Sequence, residues 1–259
     1  MIRCGSGEPL VLLHGVAESE RVWSRVVPLL AQHHDTIALT AVGHRGGPAR
    51  AGRVSVATVV DETERELDAL GLQRPHLAGN SMGGWVALEL ARRGRASSVC
   101  AMSPAGCWQS IESHERRPTR RLSSGAHIVR MTRFVLPWMM RSPRLRRLVM
   151  RDNVEHGERL TPDEIISLVD DLLACTALED LLRTDERLAP LDPLPCPVVL
   201  AWSACDRIFP PAINGVLARE LIPAAQYVEL PGVGHMPNID DPSLVAATLL
   251  RATRLAATA

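Results

Sequence analysis

Two kinds of apolar pattern alternate along the chain. Short, mostly apolar runs fall at residues 9–13, 36–40, 75–78, 97–102, 196–202 and 226–230, and longer stretches at 22–30, 54–70, 82–93, 211–221 and 243–255 return to apolar residues every three or four positions. A run apolar on both faces suits a strand buried in a parallel sheet, whereas a 3.6-residue period suits a helix with one face on a core. In residues 54–70, Val56, Val59, Val60, Leu67 and Leu70 share one side, while Asp61, Glu62, Glu64, Arg65, Glu66 and Asp68 lie mostly on the other. Gly71 stands where a left-handed cap would end that helix. Strand, helix, strand in this order implies right-handed crossovers, and hence an α/β fold with a mostly parallel central sheet flanked by helices.

The alternation stops at Pro104. Residues 105–190 show no strand pattern, and apolar positions recur at helical spacing in 128–140 and 165–182. This predicts a helical cap inserted into a core domain made of residues 1–104 and 191–259. One helix start inside the insertion is explicit: Thr161-Pro162-Asp163-Glu164 offers an N-cap threonine, proline at the first helical position and glutamate at the third, a capping box.

A length of 259 residues is enough for one domain with an insertion. The formal charge of zero offers no sign of nucleic-acid binding, and all 29 basic residues are arginine. Six scattered cysteines without C-x-x-C spacing point to buried free thiols in a reducing cytosol. No run has signal-peptide length or approaches the roughly 20 apolar residues that span a bilayer. The expectation is a cytoplasmic protein that binds neither nucleic acid nor membrane; a homodimer is left open.

The candidate chemistry lies at Gly79-Asn80-Ser81-Met82-Gly83, between the run at 75–78 and the helix at 82–93. Glycines two residues either side of a serine permit a sharp strand-to-helix turn that lifts the hydroxyl clear of the sheet. Such a turn also aims the first free amides of the helix at whatever Ser81 attacks. A serine hydroxyl is a poor nucleophile at neutral pH and needs a base, and that base needs an orienting acid. Asp206 follows the run at 196–202 and His235 follows the run at 226–230, both at the carboxyl edge of the sheet where ligands of open parallel sheets bind.

With these residues in place the chain resembles the α/β-hydrolase superfamily. The matching stretches are His14-Gly15 with Trp23 downstream, Gly43-His44-Arg45-Gly46, the turn around Ser81, Cys205-Asp206-Arg207-Ile208-Phe209-Pro210 and Gly234-His235-Met236-Pro237, in that order. The resemblance implies Ser81 as nucleophile, His235 as general base and then acid, Asp206 as the holder of the histidine tautomer, and the N–H groups of Val16 and Met82, with Ala17 as a fallback, as oxyanion donors. It implies a cofactor-free serine hydrolase acting on an ester or thioester of small-molecule size. A carbon–carbon bond hydrolase, a lactonase or an acyltransferase would share the triad, and a non-catalytic hydrolase-fold binding protein would share the fold. An aspartate at position 81 would have pointed to dehalogenase or epoxide-hydrolase chemistry. The chain departs from the family in that only residues 1–7 precede the first run; the sheet is expected to be shortened there, its usual first strand missing or encoded upstream.

The remaining histidines lack both strand-end placement and partners, and His14 and His44 suit structural hydrogen bonds. No pair of histidines has i, i+4 spacing with a glutamate, so no metal site is expected. Asp240 and Asp241 are expected to cap the last helix. The insertion carries Arg116, Arg117, Arg120, Arg121, Arg130, Arg133, Arg141, Arg144, Arg146, Arg147 and Arg151, a solvated positive face or a guide for an anionic substrate. Phe134, Trp138 and Met139 among them are candidates to line a hydrophobic acyl site, with packing of the cap helices as the equal alternative.

Overall fold

The sheet grows from the all-apolar run Pro9–Leu13, four of whose five residues are buried. In the computed structural model, which describes residues 1–108 and 134–256, this run is β2. It is flanked by β1 (Ile2–Cys4), β3 (Asp35–Leu39), β4 (His76–Asn80), β5 (Ser98–Met102), β6 (Val198–Ser203) and β7 (Gln226–Leu230) in the order β1-β3-β2-β4-β5-β6-β7. All neighbours pair in parallel except β1, which runs antiparallel to β3 with Cys4 opposite Thr36. The sheet is shortened at this end, as expected: a single three-residue strand, β1, precedes β2 and forms the edge, and no further strand lies outside it among the described residues.

Helices cover both faces. The described helices are α1 (Val27–Leu30), α2 (Val56–Ala69), α3 (Met82–Arg92), α4 (Leu136–Met139), α5 (Pro143–Met150), α6 (Pro162–Ala174), α7 (Leu178–Leu182), α8 (Val216–Leu221), α9 (Pro237–Asp240) and α10 (Pro242–Ala256). Strand alternation divides the core. Val11, Leu13, Ile37, Leu39, Leu77, Val99 and Leu200 pack toward α2 and α3, while Leu10, Leu12, Ala38, Ala78, Cys100 and Val199 pack toward α1 and α10. Each valine, leucine or isoleucine among them contributes about 1.5–3 kcal/mol on leaving water, so a sheet apolar on both faces is stable only with helices on both.

Local chemistry sets the helix ends. Ser55 accepts a hydrogen bond from Thr58 N at the start of α2, and Gly71 (φ +72°) closes its C-terminus in the left-handed conformation. The capping box of Thr161 and Glu164 opens α6. The segment 22–30, expected as one helix, is instead a 3₁₀ turn (Glu20–Trp23) followed by α1. Pro28 has no N–H to donate and can join a helix only in its first turn. The segment 165–182 is likewise two helices, broken at Cys175-Thr176-Ala177, where the amides of Thr176 and Ala177 turn away to Gly43 O. The part of the expected helix at 128–140 that precedes Phe134 lies outside the described residues, as do Arg116, Arg117, Arg120, Arg121, Arg130 and Arg133.

Between β5 and β6 the described chain is helical or irregular, and its later part docks on the core. Glu186 accepts from the amides of Val56 and Ala57 at 2.6 and 3.0 Å, capping α2 from outside, and Asp180 accepts from Val54 N. Cys100, Cys107, Cys175 and Cys196 are buried free thiols, Cys205 is half-buried and Cys4 exposed. Among the described residues no helix is long and apolar enough to cross a membrane.

Candidate active site

Ser81 occupies the turn from β4 into α3 with φ 56° and ψ −117°, a strained conformation for a side chain, costing on the order of 1–3 kcal/mol. The flanking glycines make the turn sterically feasible. A Cβ at Gly79 would stand 2.2 Å from the Gly83 carbonyl carbon, and one at Gly83 would stand 2.2 Å from Leu13 O and 2.7 Å from His14 O. The start of α3 therefore lies directly on the end of β2, and this contact brings the amide of Met82 beside the loop that follows His14. Gly83→Ala is expected to lower stability by about 3 kcal/mol or more, read as a fall in the denaturant midpoint; a midpoint within error of wild type would contradict the packing described.

His235 sits in the loop after β7. Its Nδ1 is 2.8 Å from Asp206 Oδ2, and Asp206 Oδ1 accepts from the amides of Ile208 and Phe209 at 2.9 and 2.8 Å. A carboxylate that only accepts fixes the proton on Nδ1 and leaves the Nε2 lone pair free. Burial pushes the His235 pKa down, but the Asp206 carboxylate and, more weakly, Glu18 overcome this, and the net shift is upward. The Phe209 ring meets His235 edge to face at 5.1 Å, and the Trp202 indole donates to Phe209 O at 2.9 Å, holding the Asp206 loop against β6.

Among the described residues no hydrogen bond joins the Ser81 hydroxyl to the His235 ring. The two loops are joined instead by Asn80, whose side-chain amide donates to His235 O at 3.0 Å and Met102 O at 3.3 Å. Asp240, expected to cap the last helix, accepts from the amides of Gly234, Glu155 and His156 at 2.7, 2.8 and 2.9 Å. It anchors the His235 loop to the insertion, and Asp241 alone caps α10, through Leu244 N at 2.9 Å.

The loop from His14 to Ser19 forms the other wall. Ala41 N donates to His14 Nε2 and His14 Nδ1 bonds Gly15 O at 2.7 Å, so the ring is a neutral Nδ1–H tautomer; burial first, then His44, lowers its pKa to about 3. Ala17 is held at φ 65°. Sequence reasoning missed Glu18. Its buried carboxyl accepts from Gly15 N at 2.9 Å, and burial raises its pKa from 4.5 to about 7, against smaller lowering effects of the Gly15 N–H and His235. An acid whose pKa is higher folded than unfolded loses its stabilising contribution as pH rises from about 4.5 through about 7. Glu18→Gln keeps an acceptor for Gly15 and escapes this loss. Its stability relative to wild type is expected to rise across that interval by on the order of 3 kcal/mol, measured by urea unfolding at pH 5 and pH 8; a difference independent of pH would refute the assignment.

Phe134 and Trp138 are 96% and 73% exposed, and Met139 is half-buried against the cluster of Trp23 and Val26. The aromatic ring placed against His235 is instead Phe209, with Trp108 behind it at 6.2 Å. Among the described residues no group of three or more histidine, cysteine, aspartate or glutamate side chains could hold a metal ion.

Comparison with known proteins places this geometry in context. The model of a family described as the alpha/beta hydrolase family matches residues 10–248. Epoxide hydrolase EphH of Mycobacterium tuberculosis is 33% identical over 198 residues, covering 74% of this chain and 92% of that relative. A thermophilic esterase from Thermogutta terrifontis superimposes with a TM-score of 0.76 at 23% identity, over 98% of this chain and 92% of the other. The enol-lactonase from Burkholderia xenovorans LB400 does so with 0.72 at 21% identity, over 98% and 95%.

Proposed function

This chain belongs to the alpha/beta hydrolase family, and we propose that within it the chain is a serine hydrolase that cleaves a carboxylic ester or thioester through an acyl-enzyme on Ser81. The observation that carries this reading is the 2.8 Å bond between His235 Nδ1 and Asp206 on a loop tied by Asn80 to the Ser81 turn. In the proposed cycle His235 Nε2 takes the proton as Ser81 Oγ attacks the carbonyl carbon. The oxyanion is held by the N–H groups of Val16 and Met82, and the leaving alcohol or thiol departs with the proton from His235. Water, deprotonated by the same Nε2, then releases the acid and restores Ser81. The cycle uses no cofactor, and the described later part of the insertion, residues 134–190, acts as a cap over the sheet edge.

The resemblance to EphH raises epoxide opening as a second reading. The residue at position 81 favours the first. A carboxylate that opens an epoxide leaves an ester, which water can cleave, whereas a serine alkoxide would leave an ether with no carbonyl for water to attack. The test is labelling with a fluorophosphonate probe, together with turnover of p-nitrophenyl esters of graded chain length and of a styrene-type epoxide. Labelling that is lost in Ser81→Ala, with ester turnover and no epoxide turnover, supports the proposal; folded protein that takes no label, or that turns over only the epoxide, overturns it.

A further inference from the structure

The loop that carries Val16 has no regular structure, and its bonds show what fixes it. Two are internal, Gly15 N to Glu18 and His14 to Gly15 O. One comes from the turn after β3, Ala41 N to His14 Nε2 at 3.0 Å, and another from the last turn of α6 in the insertion. Ser19 Oγ donates to Asp171 Oδ2 at 2.6 Å. Asp171 is 1% exposed. Its other oxygen takes Arg45 Nη1 at 3.1 Å, and Arg21 lies 3.8 Å away. One residue beyond Cys175, Thr176 N and Oγ1 donate to Gly43 O at 2.8 and 3.1 Å, and a Cβ on Gly43 would stand 2.7 Å from that of Ala177. The stretch from Asp171 to Ala177 is thus seated on both turns, 14–19 and 43–46, that border the site.

A buried carboxylate is expensive unless paired, and an apolar residue could fill the same space at lower cost. Here the carboxylate joins a hydroxyl three residues from Val16 to two arginines of the core. We infer that Asp171 is a positioning residue for the oxyanion site: acting through Ser19, it holds the Val16 N–H aimed at the carbonyl that Ser81 attacks. Consequently the donor is in place only while α6 is seated, and the insertion completes the reactive site in addition to covering it. The inference rests on the reading of Ser81 as nucleophile and of Val16 as donor.

The test compares wild type with Asp171→Asn, Ser19→Ala, the double variant, and Arg25→Gln, which removes the surface ion pair of Arg25 with Glu164 on the same helix. Steady-state kinetics on a p-nitrophenyl ester are normalised to active sites titrated with fluorophosphonate, so that unfolded protein does not count. Asp171→Asn and Ser19→Ala are each expected to lower kcat and the rate of phosphonylation by roughly 10–100-fold, within the effect of losing one oxyanion donor, with KM little changed. The double variant is expected to be no slower than the worse single one, because both act on one path. Arg25→Gln is expected to match wild type. A kcat per active site within twofold of wild type in both single variants, or losses that multiply in the double variant, overturns the inference, and Ser19→Ala tests it even where Asp171→Asn does not fold. Wild type that takes no label overturns instead the serine-hydrolase reading.

Discussion

Ser81→Ala is expected to abolish ester hydrolysis, lowering kcat by roughly 10⁴- to 10⁶-fold while leaving the fold intact. The activity falls because no other hydroxyl is presented at the end of β4 on a turn whose following amides face the attacked carbonyl. The fold survives because the Ser81 backbone carries the local structure: its N–H donates to Met102 O at 2.9 Å, and its carbonyl accepts from Trp85 N and Ala105 N at 3.2 and 3.0 Å. None of these bonds involves the side chain. Alanine inherits the same positive φ, so thermal unfolding is expected within about 1 kcal/mol of wild type. Single-turnover kinetics with a p-nitrophenyl ester, alongside a melting curve, measure both. Residual activity above one part in a thousand would mean that another nucleophile does the work.

Asp206→Asn is expected to cost roughly 10⁴-fold in kcat without moving His235. Asp206 Oδ1 accepts two backbone N–H groups and Oδ2 takes His235 Nδ1. The asparagine carbonyl must face the two amides, which turns its NH₂ toward Nδ1. That nitrogen then becomes an acceptor, the imidazole proton moves to Nε2, and Nε2 can no longer take a proton from Ser81. The pH profile gives an independent reading. His235 must be neutral to act as base, and its pKa is raised above the ordinary 6.5, so wild-type kcat/KM is expected to fall on the acid side with a midpoint above that value. With the negative charge removed, the midpoint is expected to move down in Asp206→Asn. A variant that keeps near-wild-type activity, or a midpoint that does not move, would assign the acid to another residue.

The features legible in the sequence are those written in contiguous residues. The run at 9–13 coincides with β2 because a strand apolar on both faces needs no distant partner to announce itself, and the run at 226–230 coincides with β7 although only Leu230 of it is buried. Ser81, Asp206 and His235 could be picked out because each lies a few residues beyond the carboxyl end of such a strand, and a parallel sheet gathers those ends at one edge. The structure places Asp206 on His235 as that argument requires. What could not be read depends on residues far apart in the chain. Asp171 meets Ser19 across 152 positions and Asp240 meets Glu155 across 85, and nothing local distinguishes either carboxylate from a helix cap or a surface charge. Glu18 looks like an ordinary loop glutamate until the fold buries it. The break at Cys175 was hidden because residues 165–182 keep an apolar rhythm through it, while the carbonyl that diverts the helix amides belongs to Gly43.

The distribution of thiols decides how this protein can be handled at the bench. Burial raises the pKa of Cys100 and Cys107 to about 12 and of Cys175 and Cys196 to about 11, so at neutral pH these four offer almost no thiolate to an alkylating reagent. Cys4 is exposed on β1 opposite Thr36, at the amino end of the parallel strands, whereas Ser81, Asp206 and His235 follow their carboxyl ends. A maleimide dye or a solid support attached there would hold the molecule by the amino ends of the parallel strands, remote from Ser81, Asp206 and His235.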